Sequence, residues 1–218
     1  MEKLDPRIFQ YQPRIYRDAR EPFPVRALGC TVFDGPGRSE SFANLTLDPG
    51  AEGAAFIIEY AIYYDYDIQH LYDLEHIWVA ADGAGEVCGC WSSFHGMRLC
   101  ASGVEGFRTE GTHPVLYAQP GKHAMMPDPR LFGLHPDFHR ACGPLAGGGL
   151  LIPPMLEGRM HTDAAQDVRI RSYIREHFSF APSMTYQQEA LRDDQFLSFS
   201  DLLDRIPAMV AKQLRIIG

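Results

Sequence analysis

The sequence predicts a mainly β fold, an antiparallel β-sandwich with long irregular loops and a C-terminal helix. The first observation is a series of short runs rich in β-branched and aromatic residues, at 25–33, 54–68, 76–81, 86–94 and 114–119. Such runs, separated by turn residues, are typical of sandwiches and barrels. The second is the DGAGE segment between two of the runs, which indicates a hairpin loop. The third is that helical periodicity is strong only near the C-terminus.

The domain organisation follows from length and from changes in composition. A chain of 218 residues is ordinary for a single domain. We expect residues 11–127 to form the core of the sandwich and to carry the site. Residues 128–160 are rich in proline and glycine and show little periodicity, which predicts a long loop excursion.

The C-terminal helix is predicted over 198–217. Its apolar residues recur at three- and four-residue steps, as in Leu202, Ile206 and Val210. Either Ser198 or Ser200 can cap its first turn. Because proline lacks an amide hydrogen, Pro207 predicts a kink or a break inside this helix.

Composition excludes some classes of function. The net charge of −8 argues against broad binding to nucleic-acid phosphates. The chain contains no apolar run long enough for a transmembrane segment. The N-terminal region lacks the apolar core of a secretory signal, and the cysteine count, five, is odd. If the sequence is the full precursor, these features predict reduced thiols and a cytoplasmic location.

A charged cluster stands in the stretch YYDYDIQHLYDLEHIWV, residues 63–79. Asp73 and Glu75 are two residues apart, so on a strand they project from one face. Asp65 and Asp67 share a parity on the preceding run, and a short turn between the runs would fold the two pairs together. Converging carboxylates raise one another's pKa unless a cation compensates them.

A hard divalent ion with oxygen ligands and one imidazole, from His70 at the turn, would compensate such a cluster. The alternative is a set of solvated charges on the open face of a half-exposed sheet. The aromatic and branched residues on both sides of the cluster favour a metal or catalytic site over that alternative.

The same residues resemble a known family. The pattern H-x-x-D-x-E-H, formed by His70, Asp73, Glu75 and His76, resembles the G-H-R-H-D-W-E-H region of the necrosis- and ethylene-inducing-like proteins. SSFHGM, which contains His95, and GTHPVLYAQPGKHAM, which contains His123, are similar to later segments of that family. YQPRIYRDAREPFPV is similar to the opening of the related vacuolar-protein-sorting domain family. The resemblance covers roughly residues 11–127.

The resemblance implies a β-sandwich with a divalent-metal pocket at one end. In the toxin family the matching residues surround a cation that helps to engage a sphingolipid head group. The metal ligands carried over to this chain are Asp65, His70, Asp73 and Glu75. Mg or Ca is the expected cofactor, with Mn or Zn as further candidates. This chain has Gln69 where the family has glycine, and Leu71-Tyr72 where it has Arg-His, so the scaffold and pocket are transferred and the cytolysis is not.

Three functions remain open at this stage. The first is a binding protein that presents the cation to an anionic or polyol ligand, such as a lipid or sugar head group, with His95 and His123 as ligand contacts. The second is a metal-dependent hydrolase in which Glu75, His76 or His95 acts as the general base. The third is an interaction module with no metal. The sequence leaves open whether the protein is an enzyme.

Overall fold

The computed structural model describes residues 3–218, apart from the side chain of His139. Most of its regular structure is β. The strands, in chain order, are β1 (Arg14–Asp18), β2 (Ala27–Phe33), β3 (Gly37–Arg38), β4 (Thr46–Leu47), β5 (Phe56–Tyr66), β6 (Leu71–Ala81), β7 (Val87–Phe94), β8 (Met97–Cys100), β9 (Thr109–Glu110), β10 (His113–Ala118), β11 (Met125–Met126), β12 (Tyr186–Gln188) and β13 (Phe196–Ser198).

The larger sheet has the order β13-β2-β5-β6-β7-β8. Its central strands β5 and β6 are eleven residues long and pair antiparallel, with Tyr64 opposite Asp73. Almost every side chain of β5 is buried on both faces. This burial explains why β5 appears in the sequence as a nearly continuous apolar run rather than an alternating one. The predicted β-rich core is confirmed.

The second sheet has the order β11-β10-β1-β12, with β9 added beside β10. Within it β1 and β10 pair in parallel, and in the larger sheet β13 and β2 are also parallel. The sheets are therefore mixed, whereas the sequence predicted antiparallel pairing throughout. Parallel neighbours need long connections, and strands so far apart in sequence leave no local turn signal.

The helices are α1 (Arg7–Gln10), α2 (Phe138–Ala141), α3 (Ala164–Phe178) and α4 (Phe199–Ile217), with 3₁₀ turns at Ala101–Gly103, Pro129–Leu134, Pro154–Leu156 and Asp193–Gln195. None of the helices among residues 3–218 is long and apolar enough to cross a membrane. The five cysteines are free thiols, of which three are buried.

Helix α4 packs against β2. The Ser198 hydroxyl caps it by accepting the Asp201 amide hydrogen at 3.1 Å. A Cβ atom on Gly29 of β2 would lie 2.7 Å from Leu202 Cδ2, so the glycine allows the close approach of helix and sheet. The helix runs unbroken through Pro207, so of the predicted kink or break the structure excludes the break. Burial of Leu202, Ile206 and other apolar side chains holds both halves of the helix on the sheet.

Helix α3 has no counterpart in the sequence prediction. Asp163 and Gln166 form a capping box at its start. Its buried face consists of only Ile170 and Ile174, which is too narrow to give a clear period. The helix matters for the site because Arg171 and other side chains of α3 hold a neighbouring loop.

Candidate functional site

A cavity of about 590 Å³ opens where β6 begins and β7 ends. Its polar lining includes Asp67, His70, Asp73, Glu75, His76 and Lys122. Its apolar lining includes Leu151, Ile152, Pro153 and Met155 from the long loop. The loop excursion predicted over 128–160 thus contributes one wall of the cavity, opposite the charged start of β6.

The alternation of β6 brings Asp73 and Glu75 to the cavity. They lie opposite Tyr64 and Ile62 of β5 and project from the same face as these residues. Ser93, on the neighbouring strand β7, donates its hydroxyl hydrogen to Glu75 Oε2 and accepts the His76 amide hydrogen at 2.7 Å. Two adjacent strands therefore fix the position of the Glu75 carboxyl.

Asp65 does not join this group. The register of β5 and β6 places Tyr64 opposite Asp73, so the next residue, Asp65, points to the other face of the sheet. There it pairs with Arg26, with 2.7 Å between Arg26 Nε and Asp65 Oδ2. His70, Asp73 and Glu75 line the cavity, whereas the fourth predicted metal ligand lies outside it.

Asp67 organises the turn between β5 and β6. Its Oδ1 accepts the amide hydrogens of Gln69, at 2.6 Å, and of His70. Its Oδ2 lies 3.1 Å from His70 Nδ1 and forms an ion pair with Lys122 Nζ. Burial alone would raise the pKa of Asp67, but His70 and Lys122 outweigh it and lower the pKa. Asp67 is therefore an ionised, fully paired carboxylate.

His123 lies behind Asp73 and is completely buried. Its Nδ1 is 2.9 Å from Asp73 Oδ2, and its Nε2 is 3.7 Å from Glu21 Oε1. The ring stacks on Tyr64 with centroids 3.8 Å apart. Burial favours the neutral ring, but the hydrogen bond to Asp73 and the nearby Glu21 carboxylate outweigh it and raise the pKa of His123 to about 10. His123 is a buried cation and does not line the cavity, where it was predicted to contact ligand.

The predicted catalytic residues differ in chemistry. Burial, followed by the charge of Asp73, raises the pKa of Glu75 well above its usual value, which favours the protonated acid. His76 Nε2 lies 2.8 Å from Ser41 Oγ, and burial lowers the pKa of His76 to about 3. A neutral imidazole of such low basicity is a poor general base. His95 is exposed at the cavity, where burial of its ring and the charge of Lys122 lower its pKa.

A glycine segment, Gly147–Gly149, holds the turn that carries His70. The Gly147 amide donates to Ile68 O and the Gly149 amide to Gln69 O, each at 2.9 Å. Arg171 of α3 donates to Gly148 O at 2.6 Å from the other side. The sequence suggested only a loop here. The segment instead pairs like a short strand and positions one wall of the cavity.

These pairings bear on the predicted metal. Among the residues whose side chains the structure describes, no group of three or more His, Cys, Asp or Glu is placed to hold a metal ion. Asp65, Asp67 and Asp73 each pair with a cationic side chain of the protein. The set Asp65, His70, Asp73 and Glu75 therefore does not fit a cation in this arrangement. Lys122, the cation that pairs with Asp67, was not predicted as a site residue from the sequence.

Fold and site together define a mainly β protein of two mixed sheets and a small β3-β4 hairpin, with a cavity of polar side chains and one apolar wall at one end of the larger sheet. No family model matches the chain, and no curated protein matches it. Among solved structures, the chain is similar to the crystal structure of necrosis and ethylene inducing protein 2 from the causal agent of witches' broom disease of cocoa. The identity is 16%, the TM-score is 0.37, and the match covers 72% of this chain and 89% of that chain. The resemblance to the vacuolar-protein-sorting domain family stays a prediction.

Proposed function

We propose that this protein binds a small polar ligand in the cavity, a polyol or anionic group such as a lipid or sugar head group. The observation that carries the proposal is the composition of the cavity. Convergent polar side chains from β6 and the 67–70 turn face an apolar wall from the long loop. A concave site with a few placed polar groups and apolar surroundings is the usual form of a small-molecule site.

Several cavity groups have hydrogen-bonding capacity left for a ligand. His70 uses Nδ1 for Asp67, which leaves Nε2 available. Glu75 uses Oε2 for Ser93, which leaves Oε1. Lys122 carries two further ammonium hydrogens beyond the one given to Asp67. These groups suit hydroxyl and anionic oxygen atoms, while Leu151, at 61% exposure, offers apolar surface to a carbon frame.

The hydrolase alternative has less support. His76 is buried and weakly basic, and Glu75 favours its protonated state, so neither suits the role of general base at neutral pH. Of the three residues predicted for catalysis, only His95 is exposed at the cavity. Ligand binding requires none of these groups to accept a proton.

Filling the cavity is expected to weaken ligand binding. Ala43 is exposed and lines the cavity, so Ala43→Trp adds bulk there without removing a polar group. We expect it to weaken binding at least about tenfold, a loss of about 1.4 kcal/mol. The measurement is an NMR or calorimetric titration with glucose, myo-inositol, glucose 6-phosphate and phosphocholine as probes. Ala51→Trp, at an exposed position outside the cavity, is the matched control and should bind like the wild type. Equal binding by both variants, or binding of no probe by the wild type, would contradict the proposal.

A further inference from the structure

We propose that His123 and Lys122 take the electrostatic place of a divalent cation, so that the cavity works without metal. The inference rests on the proposed function only in that it concerns the same cavity. It follows from a disagreement between the family resemblance, which implies a metal pocket, and the partners that the carboxylates have in this chain.

Asp73 is engaged by a buried histidine. Its carboxylate is partly buried, and burying a charged group without a partner is costly. His123 is that partner, with its Nδ1 at 2.9 Å from Asp73 Oδ2. Glu21 holds the far side of the ring, with its Oε2 fixed by the Gly121 amide at 2.6 Å. The ring thus lies between the partly buried Asp73 and the buried Glu21, as a partner built into the core.

The turn between β5 and β6 carries a second carboxylate, Asp67. Asp67 is 2% exposed and directs both oxygens toward protein groups. Lys122 precedes His123 in the chain, and only 14% of its side chain is exposed where it meets Asp67. His70, the imidazole implied as a metal ligand, also bonds to Asp67. The turn is therefore neutralised from within the chain.

Few of the predicted metal ligands remain available to an ion. Asp65 faces away and pairs with Arg26. Glu75, held by Ser93, would have to act together with His70 and with an Asp73 already engaged by His123. A divalent ion would have to displace a buried ion pair to gain a third ligand, and breaking such a pair is costly. Metal affinity at this place is accordingly expected to be weak.

The test is the response of the chelator-treated protein to Mg, Ca, Mn and Zn, followed by calorimetry and by thermal unfolding. We expect no saturable binding heat, the same melting temperature with EDTA and with each ion, and less than one metal ion per chain in elemental analysis. The variant Lys122→Met should lower the melting temperature, and His113→Gln, at a partly exposed histidine outside the cavity, should leave it nearly unchanged. Saturable binding of one of these ions by the wild type, lost in Asp73→Asn, would overturn the inference.

Probe titrations in EDTA keep this inference separate from the proposed function. Probes that bind equally with EDTA and with added ions support both. Binding that appears only after a divalent ion is added overturns the inference and leaves the proposed function standing. If no probe binds under any condition, the proposed function fails, and the metal response of the melting temperature still decides the inference.

Discussion

Replacing His123 by alanine is expected to lower the free energy of unfolding by about 3–5 kcal/mol, the usual cost of removing one member of a buried ion pair. The variant leaves Asp73 and Glu21 without their shared cation, and Glu21 is almost fully buried. It also removes the ring that stacks on Tyr64. Urea unfolding followed by intrinsic fluorescence measures the change.

Two further variants make this prediction specific. His113→Ala removes a partly exposed histidine whose Nδ1 bonds to the Gln12 carbonyl, and it should cost much less. The double variant Asp73→Asn/His123→Gln removes a negative and the positive charge together, so it should be more stable than His123→Ala. A loss in His123→Ala no larger than in His113→Ala would show that the buried imidazole is not a counter-ion.

The variant Gly148→Ala is expected to lower the free energy of unfolding by about 1–3 kcal/mol, as overpacking usually does, and to weaken ligand binding. A Cβ at this position would lie 2.4 Å from Gln69 O and 3.3 Å from His70 Cδ2. Because Gln69 O is a backbone atom, the new methyl group forces the glycine segment and the turn apart. Movement of the turn displaces His70 from the cavity wall. Urea unfolding and the probe titration measure the two effects.

Gly143→Ala is the matched control for this variant. It lies in the same glycine-rich loop, and a Cβ there meets no atom within 4 Å. Its stability and its binding should stay close to those of the wild type. If Gly148→Ala were to behave like Gly143→Ala, the glycine segment would have no role in positioning the turn.

Local patterns in the sequence were enough to predict the β core and part of the cavity. The two-residue spacing of Asp73 and Glu75 placed both on one strand face, and the structure brings both to the cavity. The three- and four-residue spacing of apolar residues predicted the position of helix α4 to within one residue. These features depend on neighbours along the chain, where the period of a strand or helix is visible.

Features that depend on pairing between distant segments were missed. The face to which Asp65 points depends on the register that sets Tyr64 opposite Asp73, and this register is not visible in the sequence. The prediction that Asp65 lies beside Asp73 and Glu75 was therefore wrong. Lys122 reaches Asp67 across 55 positions of the chain, and nothing local marks that contact. Helix α3 was not predicted because its few buried positions give only a weak helical period of apolar residues.

The charge state of His123 tests most directly the claim that the protein neutralises its own carboxylates. Its pKa is raised from 6.5 to about 10, so the ring should be doubly protonated at a pH midway between these values. The stability that this proton contributes is fully present below 6.5 and lost as the pH rises through about 10. Long-range ¹H–¹⁵N NMR of the imidazole, assigned with His123→Gln, should show two protonated ring nitrogens at that midpoint. A neutral ring with one protonated nitrogen there would contradict the claim.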